Sequence, residues 1–189
     1  MKKTIVLFAA LAFTHASFAQ NTYTLDKNHA RLVFSALHFG ISHVEGNFKN
    51  FDATFISSKE DLSDGQVELT IDVGSLNTDV EKRDADLRDN WFEAQKYPTA
   101  IFKSTSFKKL GGKNYKLKGN ITMHGVTKPI EFDVVFNGKG QNPFTKKYSY
   151  GFTITGKLNR NDFGIGKDPI TTGVGYEIEL RSNVEFIIN

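Results

Sequence analysis

Cysteine is absent from this chain of 189 residues. That excludes a disulfide framework, a thiol nucleophile and the acylated cysteine of a bacterial lipoprotein. A large excess of one charge is missing too: 24 lysines and arginines face 21 aspartates and glutamates. The basic balance is therefore no argument for a nucleic-acid partner. Long apolar runs are also lacking. The one candidate, Ile5 to Phe13, falls well short of the ~18 residues a bilayer span needs. No linker, internal repeat or low-complexity tract divides the chain, so a single domain is expected.

What the first residues do contain is the three-zone pattern of a secretory signal peptide. Lys2 and Lys3 precede the apolar run, and Ser17 and Ala19 supply the small side chains expected before a cleavage point at Gln20. Residues 1–19 are thus expected to be removed, leaving residues 20–189 as the domain. Lys2 and Lys3 leave with the leader, which reduces the excess of positive charge to +1. An exported chain without crosslinks depends on its apolar core, and phenylalanine is the compositional outlier, with 17 copies. Side chains of that size in a small domain either fill the interior or line a cavity for an apolar guest.

Period-two alternation dominates the rest of the chain. Val67, Leu69, Ile71 and Val73 alternate with polar residues, as do Tyr115, Leu117, Ile121 and Met123. Further sets are Ile130 to Phe136, Tyr148 to Leu158, and Tyr176 to Ile188. Such strands have one dry and one wet face. Three less regular strands, Ala30 to His38, Val44 to Ile56 and Thr99 to Lys108, bring the count to about eight. The apolar phase slips between Phe48 and Phe51, which predicts a β-bulge near Asn50. Turn chemistry appears at Asp64-Gly65, Gly111 to Asn114, His124 to Thr127, and Asn137-Gly138. One helix is expected, with Thr78 and Glu81 at capping-box spacing. Val80, Asp84, Leu87 and Trp91 then share one face until Tyr97-Pro98 ends it. Eight strands with one apolar face each can close into a barrel or stack as a sandwich, and alternation alone does not choose.

Catalytic patterns are sparse. The histidines beyond the leader are His29, His38, His43 and His124, and none is spaced to force convergence on a metal. His29 and His124 sit beside strand ends, where structural hydrogen bonds are expected. Ser35 and Ser42 flank His38 without forming a dyad, and no Gly-x-Ser-x-Gly elbow occurs. Gly164-Ile165-Gly166-Lys167 reads as a turn, not a phosphate loop. No catalytic residue, metal ligand or cofactor is assigned.

The residues Tyr23-Thr24-Leu25-Asp26, His29, Val33-Phe34, His38-Phe39-Gly40-Ile41-Ser42 and Val44-x-Gly46-x-Phe48 form a recognisable series. Arg83-Asp84, Tyr97-Pro98-x-Ala100-x-Phe102, Gly119-x-Ile121-x-Met123-His124-Gly125-Val126-Thr127-Lys128 and Arg160-x-Asp162-Phe163-Gly164 continue it. In that order the chain resembles the YceI family of exported bacterial proteins. Tyr23 replaces a frequent Trp of that family, and Asp86 stands where relatives often carry His. The resemblance implies an all-β fold, an eight-stranded antiparallel lipocalin-like barrel with one short capping helix. It further implies a periplasmic binding protein, without an established reaction, whose interior holds a polyisoprenoid or similar long-chain lipid or quinone-type ligand.

Under that reading the dry faces become a cavity wall: Phe34, Phe48, Phe55, Leu69, Ile71, Phe102, Ile121, Phe132, Val134, Phe152, Ile154, Ile178 and Leu180. His38 and Arg83 are the candidates for meeting a polar head group. The oligomeric expectation is a monomer or homodimer. Three rivals remain: an outer-membrane barrel, an enzyme acting on an isoprenoid or quinone in the same cavity, and a filled barrel serving as a stress-response interaction module.

Overall fold

Alternation along each strand sends apolar side chains to one side. The computed structural model, which describes residues 20–166 and 172–188, shows that side to be the inside of a closed barrel. Eleven strands are present: β1 (Asn21–Leu25), β2 (Arg31–His38), β3 (Ser42–Phe48), β4 (Phe51–Ser57), β5 (Gln66–Asp72), β6 (Leu76–Asn77), β7 (Thr99–Gly111), β8 (Asn114–Met123), β9 (Val126–Gln141), β10 (Tyr148–Asn159) and β11 (Val174–Ile188). Six of these are halves of interrupted strands. β1 and β2 share the same edge of β11, through Tyr23↔Ile188 and Phe34↔Leu180. β4 pairs with β1 and β3 with β2, while β5 pairs with β4 and β6 with β3. The wall is therefore an eight-stranded antiparallel meander that closes where β1 and β2 meet β11.

The three interruptions lie side by side and brace one another. Short 3-10 turns fill two of them, Lys27–His29 and Val73–Ser75. Lys49 N donates to Ser75 O (3.1 Å), Asn50 N to Ser75 Oγ (2.9 Å) and Asp72 N to Asn50 O (2.9 Å). The expected bulge at Asn50 is thus a full break between β3 and β4, because the neighbouring strand breaks at the same level.

Charged pairs on the outside follow the strand register. Lys118 meets Glu131 at 2.5 Å and Lys157 meets Glu179 at 3.3 Å, and Lys116 bonds Asp133. Exposed pairs contribute ~0–1 kcal/mol each, so they mark register more than they stabilise. Charged exteriors and apolar interiors are the reverse of the outer-membrane arrangement.

Three local expectations are corrected. Asn137-Gly138 is not a turn but a bulge within β9, where the pairing with β10 slips between Gly151 and Phe152; the chain reverses at residues 142–147 instead. The helix is shorter than its periodicity suggests. α1 spans Glu81–Asp86, a π-turn follows over Leu87–Trp91, and Val80 is exposed. No capping box forms. The buried carboxylate of Asp84 takes that role from within the helix, accepting from Thr78 N (2.7 Å), Thr78 Oγ1 (2.5 Å) and Asn77 Nδ2 (3.2 Å). The remaining turns stand as expected, with two-residue reversals at Gly112-Lys113 and His124-Gly125.

One end of the barrel, here the base, is closed by aromatic rings and by the β4–β5 turn. Phe55 packs within 5.2–6.0 Å of Tyr23, Phe107, Phe152 and Phe186, and the Tyr115 hydroxyl donates to Asp61 O at 2.7 Å. Asp64 ties the turn to β4. Although burial opposes its ionisation, bonds from Ser57 Oγ (2.5 Å), Ser58 Oγ (2.5 Å) and Ser58 N (3.0 Å) hold its carboxyl well below the ordinary value of 3.8. Asp64→Ala should lower unfolding free energy by about 2 kcal/mol at neutral pH. Because the folded-state pKa is depressed, the native protein's advantage over D64A should be constant down to the ordinary carboxylate value and shrink as pH falls below it. Denaturant titrations across that range measure both effects.

Candidate functional site

A barrel rich in phenylalanine would be solid if every ring pointed at the axis. Several rings instead lie flat on the wall, because the residue across or diagonal from them is glycine. Gly46 pairs with Phe34, and a Cβ there would lie 2.3 Å from its ring; Gly156 pairs with Phe132, and a Cβ would lie 2.5 Å from that ring. Gly119 seats Phe102 in the same way. A strand glycine that accepts a neighbouring ring recovers buried contact while leaving the centre open.

The result is a lumen in two chambers. The inner chamber, about 130 Å³, is lined almost wholly by apolar side chains, among them Phe51, Leu69, Phe102, Ile121, Phe132 and Ile154; Arg181 and Ser182 are its polar contributors. That volume is close to the ~150 Å³ apolar cavity that accepts one benzene. The second chamber, about 280 Å³, lies toward the helix-capped end, or mouth, and shares Phe34, Phe48, Met123, Leu158 and Leu180 with the first. Phe34 and Phe48, ring centres 5.6 Å apart, stand where the two chambers adjoin and border both. Together the chambers reach the lower part of the ~300–1,000 Å³ range of small-molecule sites.

All thirteen expected wall residues border this lumen. Phe34, Phe48, Phe55, Leu69, Ile71, Phe102, Ile121, Phe132, Val134, Phe152, Ile154 and Leu180 line the inner chamber. Ile178 lines the mouth chamber alone. His38 and Arg83, named from a strand end and a charged helix, are brought together at the mouth with Thr78 and Asp86. Arg83 is held in place: Nε donates to Thr78 Oγ1 and Nη2 to Thr78 O, both at 2.7 Å. Two of its five N–H donors are spent there, leaving three.

The sequence reading missed part of the mouth. Leu87, Trp91 and Phe92 from the π-turn, with Val44, Met123, Leu158 and Val174, complete its apolar lining. Arg160, 3% exposed, also borders it, but its guanidinium is committed to the carbonyls of Ile165, Val174 and Gly175 and stacks over Trp91 and Tyr176. Its position next to a strand end carried no signal of that burial. Among the described residues, no buried side-chain polar atom lacks a partner.

The other histidines serve the scaffold. His124 Nδ1 bonds Phe163 O and its Nε2 bonds Glu93 Oε2, both at 2.8 Å. His43 Nδ1 meets Ser35 Oγ at 3.1 Å on the outer surface. His29 Nδ1 lies 3.0 Å from Asp26 Oδ2; that bond lowers the Asp26 carboxyl and raises the His29 ring. Glu185 approaches the same pair, placing three possible ligand atoms within 4.8 Å of one another. Gly166, like the helix, belongs to the mouth: its α-carbon faces the Trp91 ring, while Lys167 lies outside the described residues.

Comparison with known proteins agrees with this architecture. The YceI-like domain matches residues 23–186. The chain belongs to the YceI-like family. It is 38% identical to Protein YceI of Salmonella agona over 193 aligned positions, covering 98% of this chain and 97% of the relative. The crystal structure of the Campylobacter jejuni YceI protein superposes with a TM-score of 0.69 at 32% identity, covering 78% of this chain and 86% of that one. A domain from Saccharophagus degradans described as polyisoprenoid-binding shares the fold, with a TM-score of 0.64 at 15% identity over 88% and 98% of the two chains. Of the two positions expected to depart from the family, Tyr23 is buried against Phe55 and Tyr150, and Asp86 lies at the mouth.

If glycine seats keep the lumen open, closing one should shrink it. Gly156→Ala forces the Phe132 ring off the wall, with a destabilisation of about 1–3 kcal/mol expected. Uptake of an apolar fluorophore should fall in the same variant, as read by fluorescence titration alongside thermal melts.

Proposed function

We propose that this protein is an exported carrier that holds a long apolar molecule of the isoprenoid type, its chain in the lumen and its polar end at the mouth. The observation that carries this reading is the two-chamber lumen, lined almost wholly by hydrocarbon in its inner chamber and edged by His38, Arg83 and Asp86 at the mouth. A guest with a hydrocarbon tail and one polar terminus matches that gradient. Each buried methylene contributes roughly 0.8 kcal/mol, so a few isoprene units outweigh the ~8 kcal/mol of micromolar binding together with part of the association cost. The neighbouring fold from Saccharophagus degradans, described as polyisoprenoid-binding, supports the same ligand class. Binding is favoured over catalysis because the deep lumen is lined by hydrocarbon, and a tight apolar fit needs no reacting group.

Arg83 is the selectivity element in this reading. Fixed by Thr78, its remaining donors would grip a phosphate or quinone-type oxygen through charge-assisted bonds. Export follows from residues 1–19, with the periplasm as destination.

Native mass spectrometry of protein purified from an exporting host should find a retained lipid, and bare protein mass would remove the proposal. Phe132→Asp, which sets a carboxylate in the inner chamber, should abolish retention. Arg83→Ala should keep headless chains while weakening polar-headed ones by about tenfold, the worth of one charged hydrogen bond; equal affinities for both would remove the head-group role. For export, osmotic shock should release the protein without detergent, with an N-terminus at Gln20.

A further inference from the structure

At the base, opposite the mouth, a different surface stands out. From Ala94 to Ile130 the chain has eight lysines and no aspartate or glutamate, and from Val134 to Asn161 it again has no acidic residue. These stretches form β7 to β10, four adjacent strands of the wall. Along the wall several of the lysines meet acids, as Lys103 does Glu68, Lys116 Asp133 and Lys157 Glu177. At the base they do not. Lys108, Lys113, Lys139, Lys146 and Lys147 have no ion pair among the described residues, and Lys109 reaches Asp61 only at 3.9 Å.

The β9–β10 hairpin carries this charge away from the barrel. Phe136 N bonds Lys113 O at the level of the β7–β8 turn, and β9 then runs on to Gln141, about 17 Å further at the usual rise per residue. At the tip Phe144 is 92% exposed. Its position is built, not slack. Asn142 Oδ1 accepts from Phe144 N (2.9 Å) and Thr145 N (3.0 Å), Lys146 N donates to Asn142 O (2.9 Å), and Gln141 Nε2 donates to Lys146 O (2.9 Å). Lys139 lies over the Tyr148 ring at 4.1 Å, and Leu110 on the neighbouring turn is 59% exposed.

We propose that this hairpin docks the protein on an anionic phospholipid bilayer, with Phe144 entering the headgroup boundary and Lys139, Lys146 and Lys147 facing lipid phosphates. Charge complementarity selects the partner: the acids of the base, Glu60, Asp61 and Asp64, lie on the β4–β5 turn, whereas the hairpin lysines Lys139, Lys146 and Lys147 form no ion pair among the described residues and are attracted to anionic lipid. The lone aromatic at a hydrogen-bonded tip selects a fluid surface over a protein groove, since a bilayer receives a projecting ring without a matching pocket. Docked this way, the mouth faces away from the membrane that the base rests on. The inference is independent of what the lumen holds.

The test is binding of the protein, purified from an exporting host, to mixed phosphatidylglycerol–phosphatidylethanolamine vesicles, followed by co-sedimentation. Association is expected at low salt, with loss at high salt and on purely zwitterionic vesicles. K146E/K147E should weaken it by at least ~10-fold, in line with the cost per lysine at an anionic surface. Phe144→Ser should weaken it with thermal stability unchanged, because the residue is 92% exposed. Phe144→Trp should show blue-shifted emission on vesicle addition, against the buried native Trp91. Equal binding to zwitterionic vesicles, or undiminished binding by both K146E/K147E and Phe144→Ser, would overturn the proposal. So would capture by soluble polyphosphate with none by vesicles, which would make the surface a general polyanion site.

Discussion

The lumen exists because rings are stored against the wall. Apolar residues crowd a small barrel, and the free energy of burial alone would drive them to fill it. Glycine at Gly46, Gly119 and Gly156 supplies seats where Phe34, Phe102 and Phe132 bury a face without crossing the axis. The rings at the base, around Phe55, pack on one another and form the floor of the inner chamber. Seats alone do not open the lumen, since Gly65 receives Phe55 and Phe107 as well; what distinguishes the base is that four rings gather on Phe55.

The two ends of the barrel are built by different means. At the mouth, a buried carboxylate organises the polar groups: Asp84 fixes Thr78, and Thr78 in turn fixes Arg83. The π-turn after α1 lays Trp91 against Arg160 and Gly166, so the cap is bound to the wall through both a cation and a close backbone approach. The belt of strand breaks separates this end from the base. Phe48 and Phe51 flank the break, bordering both the lumen and a polar groove outside it. At the base, Asp64 secures the closing turn, while the lysine-bearing hairpin stands clear of it.

Family membership and geometry lead to compatible conclusions by separate routes. The relatives establish that the whole domain is of the YceI-like type. The side chains of this chain determine the size of the lumen, its polar mouth and the fixed orientation of Arg83.

Alternation along the chain by itself determined which residues face inward, because a strand has a period of two wherever it is placed. Hence every expected wall residue, from Phe34 to Leu180, borders the lumen, and two-residue turns such as His124-Gly125 were legible as turns. The break at Asn50, the bulge at Asn137 and the acid that caps the helix region were not legible. Each depends on a partner from another element or turn: Ser75 for Asn50, Gly151 for Asn137, Thr78 for Asp84. Likewise, only tertiary structure decided whether the barrel is hollow. The seat for Phe132 is a glycine on the next strand, and volume left unfilled is a property of eight strands together, invisible to any one of them.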